Sequence, residues 1–180
     1  MITFGINKIS VCIFVQRACE QSYKVDNRPD SPAKAGTNSQ DDFEKAGIRL
    51  ISSEFASSNV DLPALPQEMY RVVQDRSKYA VLDIGGDDRG AYALGRYTPS
   101  ILEENDYEML TVINKYRPLT PDVESTVEVL REIEAASKIP FTGIVNNSNI
   151  GEETAPEDVL ASLSYAEAVA SEMGVPVVMT

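Results

Sequence analysis

From Ile48 onward the chain alternates short apolar runs with amphipathic stretches, and no other feature constrains its fold as much. The runs are IRLIS (48–52), YAVLDIG (79–85), MLTVINK (109–115), FTGIVNN (141–147) and VPVVMT (175–180). Each is short, rich in β-branched residues and bounded by Gly, Pro or Asn, as strands buried on both faces are. The intervening stretches read as helices. Pro66 fits the first turn of PQEMYRVVQDRS, where a missing N–H costs nothing. After Pro121 a helix is predicted with Val123, Val127, Leu130 and Ile133 on one face. The last helix is predicted from about Pro156 to Met173, with Leu160, Leu163, Ala166, Ala170 and Met173 as its stripe and Gly174 as its stop. Strands alternating with helices of this length imply crossover units, hence an α/β fold: one doubly wound domain with a mostly parallel sheet.

The N-terminal part is irregular by comparison. ITFG reads as a short strand, and Val11, Cys12, Val15, Ala18 and Cys19 fall at helical spacing. Two turns of helix would hold Cys12 and Cys19 roughly 10 Å apart, too far for a disulfide, so both are read as structural thiols. VDNRPDSPAKAGTNSQDD (25–42) shows no apolar period. Its Pro, Ser, Asn, Asp and Gly favour an exposed, mobile loop, although a link that long is unusual inside a compact domain. Residues 1–50 hold seven basic and six acidic residues, a net of +1, which leaves −13 for the other 130. The chain therefore divides into an irregular stretch, 1–42, and an α/β core, 43–180.

A net charge of −12 repels phosphate backbones and anionic lipid, so neither a nucleic acid nor a membrane is expected as a partner. There is no histidine, which removes the commonest general base, the Ser-His and Cys-His pairs and the usual zinc ligands. No apolar run approaches membrane-spanning length, and MITFGINKISVCIFVQR lacks a basic lead and a small-residue cleavage site. A cytoplasmic location is the expectation.

Ligands of doubly wound sheets sit beyond the carboxyl ends of the strands. The second of the five runs delivers Asp83 there, followed by Ile84, Gly85 and Gly86. An aspartate so placed can hold magnesium through its waters, and a glycine three residues on lets a bare backbone N–H approach a terminal phosphate. Asp87 and Asp88 are better read as caps of the helix that follows. TGIVNN delivers Asn146 and Asn147, whose amides suit the edge of a purine base and equally suit a turn that ends the strand. LTVINK delivers Asn114 and Lys115, with Arg117 close behind; the two charges, of Lys115 and Arg117, read as solvated loop charges, with a phosphate contact as the alternative.

The runs VDLPALP (60–66), YAVLDIGGDDRGAYALGRYT, VINKYRPLTP, EVLREIEAASKIPFTGIVNNSNIGEETAPEDVL and GVPVVMT together resemble the ParA/MinD/CobQ-type P-loop ATPases. The likeness spans about Phe43 to Thr180. It implies a Rossmann-like P-loop fold with ATP and magnesium as cofactors. It matches Asp83 to the Walker B aspartate that serves the metal, Gly86, beside Gly85, to the switch glycine near the γ-phosphate, and Asn146 to the asparagine at the adenine base. The family's phosphate grip is a Gly-rich loop ending in Gly-Lys-Ser/Thr, whose N–H groups wrap the phosphates. In ITFGINKISVCIF, Gly5, Lys8 and Ser10 are present, yet no G-x-x-x-x-G-K-[ST] runs through them. QSYKV (21–25) resembles the lead-in to the second strand, which DNRPDSPAKAG replaces. A truncated or frame-disrupted gene segment would produce both losses.

Three functions follow. The first is a nucleotide-binding protein of this family with weak or no hydrolysis and no catalytic residue assigned. The second is a nucleotide-independent binding or scaffold module, engaging a protein partner or a second copy. The third, ranked last, is a magnesium-dependent phosphohydrolase on Asp83, Asp87 and Asp88.

Overall fold

The computed structural model describes residues 9–15, 22–26, 45, 47–52, 69–74, 79–86, 91, 92 and 94–180. Gly5, Lys8, Cys19, Pro66, Asp87, Asp88 and the run 27–42 lie outside the described residues, and with them the expectations placed there.

Among the described residues, seven strands form one sheet: β1 (Ile9–Val15), β2 (Ser22–Asp26), β3 (Ile48–Ser52), β4 (Tyr79–Gly86), β5 (Tyr107–Ile113), β6 (Gly143–Asn146) and β7 (Val177–Met179). Their order across the sheet is β3-β2-β4-β1-β5-β6-β7. β2 runs parallel to β3 and β4, and β6 runs parallel to β5 and β7. β1 lies antiparallel to both β4 and β5, so those two share a direction. Every strand but β1 therefore points the same way. All five runs singled out from Ile48 onward are strands of this sheet, within two residues at each start and end.

Two N-terminal expectations are corrected. The segment with helical spacing at Val11, Cys12 and Val15 is a strand, β1. Its run ISVCIFV is rich in β-branched residues, and β4 and β5 flank it on both sides to complete its backbone hydrogen bonds. The second strand is not replaced by DNRPDSPAKAG but forms one step earlier, in SYKVD itself.

Among the described residues, four helices accompany the sheet: α1 (Met69–Gln74), α2 (Thr98–Glu104), α3 (Val123–Ser137) and α4 (Pro156–Met173). α3 starts where Asp122 caps it: the carboxylate accepts from the Ser125 N–H at 2.9 Å, which holds the Asp122 pKa below the usual carboxylate value. The predicted face of α3 is confirmed, with Leu130 and Ile133 buried and Val123 and Val127 packed against the core. α4 ends at Gly174, whose φ of 70° is the left-handed conformation that glycine adopts without a Cβ penalty.

The stripe of α4 holds at Ala166 and Ala170, which are buried, and at Met173, which packs against the core, and is corrected at Leu160. Leu160 is 65% exposed, while Ser162, Tyr165, Ala166, Val169 and Ala170 are buried. Hydropathy favoured a leucine over a serine and a tyrosine. Here both hydroxyls have hydrogen-bond partners inside, which removes the penalty that would keep them out.

α4 packs on α3, β6 and β7, and α2 on α1 and β5. The core between these layers includes Leu82, Ile84, Met109, Ile113, Leu130, Ile133, Ile144 and Val169, each at most 2% exposed. Burying one such side chain contributes about 1.5–3 kcal/mol. Gly143 permits a close approach beside β7: a Cβ there would lie 2.8 Å from Val178 Cγ1 and 3.0 Å from Leu110 Cδ2.

Candidate functional site

The carboxyl ends of β4, β5, β6 and β7 lie together, and β1 enters from that same end because it runs backwards. One row of the register holds Gly85, Ser10 and Val112; the next pairs Gly86 with Ile9 and Ile113 with Asn146. This rim is the candidate site.

Asp83 is not at the rim. β4 continues through Ile84, Gly85 and Gly86, and Asp83 lies three residues inside, 2% exposed, opposite Asp26 on β2 and Cys12 on β1. The cause is β1, which pairs with Gly85 and Gly86 and draws the glycine pair into the sheet instead of leaving it as a loop. The two glycines thus reach the edge as strand backbone. Among the described residues, no three His, Cys, Asp or Glu gather as metal ligands.

Asn146, the last residue of β6, is 4% exposed and bonded inward. Its Nδ2 donates to Ser162 Oγ at 2.9 Å, and that hydroxyl donates onward to the Val159 carbonyl at 2.7 Å. Its Oδ1 accepts from Ser148 Oγ at 2.7 Å and from the Ser148 N–H at 3.3 Å. Ser148 Oγ in turn accepts from the Lys115 N–H at 3.0 Å. One directed chain of hydrogen bonds therefore runs from the end of β5, through the end of β6, into the first turns of α4. The next residue, Asn147, is half-exposed, and its N–H donates to the Ile113 carbonyl at 2.9 Å.

Asn114 performs the same task one strand over. It is 8% exposed; Oδ1 accepts from the N–H of Tyr116 at 2.9 Å and of Asn149 at 3.3 Å, while Nδ2 donates to the Asn149 carbonyl at 3.0 Å. With two acceptor sites and two donors, an amide can clasp a neighbouring backbone where a hydrocarbon cannot. Lys115 Nζ donates to the Ala161 carbonyl at 3.0 Å, and Tyr116 OH to the Asp158 carbonyl at 2.8 Å. Partial burial of Arg117 lowers its guanidinium pKa by desolvation.

Farther along the same loop, Tyr165 of α4 reaches Thr120 and Thr126. Thr126 Oγ1 donates to the Asp122 carbonyl at 2.6 Å and shares a 2.7 Å hydrogen bond with Tyr165 OH, which donates to the Thr120 carbonyl at 3.3 Å. Burial raises the Tyr165 phenol above its ordinary pKa.

The chemistry of this assembly is that of a fixed polar rim. Among the described residues named above, its side-chain groups are amides, hydroxyls, the Lys115 ammonium and the Arg117 guanidinium. Ser148, Asn149 and Ser162 are the residues that a motif reading misses. The one signal for them is the unbroken polar run Asn146-Asn147-Ser148-Asn149 directly after a strand. No family model, no curated protein and no solved structure matches this chain.

Proposed function

We propose that the chain is a nucleotide-binding-fold protein of the ParA/MinD/CobQ type, with a doubly wound P-loop-like sheet, that has lost ATP hydrolysis. The observation that carries this reading is the reversed β1. Val15, its last residue, pairs with Ala80 and Tyr107 at the amino edge of the other strands, so a loop that follows β1 leaves from the wrong end of the sheet to wrap a phosphate at the rim. Support for the ancestry comes from the shared direction of the six other strands and from Gly85 and Gly86 at their carboxyl ends, where ligands of open α/β sheets bind. Against magnesium at this position stands the 2% exposure of Asp83, three residues inside the end of β4. The same burial leaves a phosphohydrolase on Asp83 without support.

ATP on such a rim lacks most charge-assisted phosphate contacts, each worth about 1.5–3 kcal/mol, which places its dissociation constant at about 1 mM or weaker. The second reading, a nucleotide-independent binding or scaffold module, draws support from the inward bonding of Asn146. Thermal unfolding in about 5 mM Mg-ATP, with ADP release followed in parallel, separates the two. Weak binding near 1 mM stabilises by about 1 kcal/mol and raises the melting point, whereas the scaffold reading expects no shift. ADP release above the buffer rate would overturn both.

A further inference from the structure

No further inference is drawn: the strongest candidate, the open outer edge of β7 with Val178 and Met179 about half-exposed along it, carries nothing because nothing in the structure shows what covers it.

Discussion

Thr111 sits in the middle of β5, fully buried, and its hydroxyl has no hydrogen-bond partner. In register it faces Val11 on one side and Ile144 on the other, an apolar row with no acceptor to offer. A buried donor left unmade costs about 1–3 kcal/mol, and valine keeps the branched shape without the hydroxyl. Thr111→Val is therefore expected to stabilise the chain by about 1 kcal/mol, raising the melting point by about 2–4 °C. A urea titration checks it: the midpoint rises and the slope stays unchanged. Tyr165 makes the opposite case, since its hydroxyl is buried and bonded. Its folded pKa lies above the unfolded value of about 10, so the neutral phenol's contribution is complete below pH 10 and is lost as the pH climbs through the folded pKa. Tyr165→Phe should flatten the fall in stability above pH 10 while lowering stability at neutral pH by about 1 kcal/mol, the value of its bond to Thr126. Tyr97 and Tyr107 are raised in the same direction by burial, so a residual alkaline slope remains in the variant. Urea midpoints at pH 8 and pH 11 for both chains decide it.

At the scale of elements, the ends of β5 and β6 are joined to α4 through Asn146 rather than by apolar contact alone. Asn146→Ala removes three hydrogen bonds from a buried position and is expected to cost about 2–3 kcal/mol. If the amide served only a ligand, the unliganded variant would melt with the wild type, and calorimetry without nucleotide distinguishes the two. The sequence announced β3 to β7, α3 and α4, because β-branched runs, Asp122 as a cap and Gly174 as a stop are local signals. It misled at β1, where a run of seven residues, apolar but for Ser10, satisfies helical and strand spacing alike. Only the flanking β4 and β5 decide between them, and pairing across so long a separation leaves no local trace. The rim was legible as a place, since Gly85, Gly86 and Asn146 all lie at strand ends. The depth of Asp83 was not legible, because it depends on whether another strand pairs with the glycines that follow it. Nor was the inward rotation of Asn146, which depends on Ser162 sixteen residues away.

For the molecule as a whole, β1 joins two parallel trios, β3-β2-β4 and β5-β6-β7, into one sheet. Each trio by itself would present a long open edge, β4 or β5, with backbone groups left for water. Pairing on both sides makes the joining of the two trios depend on β1, although it comes from the least regular part of the sequence. Proline at its centre tests this without altering the surface. Val11 pairs with Ile84 on one side and Thr111 on the other, so its N–H belongs to a ladder whichever neighbour it faces. Val11→Pro removes that donor and places the ring inside a central strand, where proline is not accommodated. A loss of about 3 kcal/mol or more is expected, a large share of the stability of an ordinary domain, with cooperative melting lost or shifted far down. Hydrogen exchange on the unmodified chain supplies an independent reading: amides of β1 should exchange as slowly as those of β4 and β5, through global unfolding. A Val11→Pro chain that melts cooperatively at the wild-type temperature would show that residues 9–15 do not hold the two halves together. It would also remove the reversed strand on which the loss of hydrolysis rests.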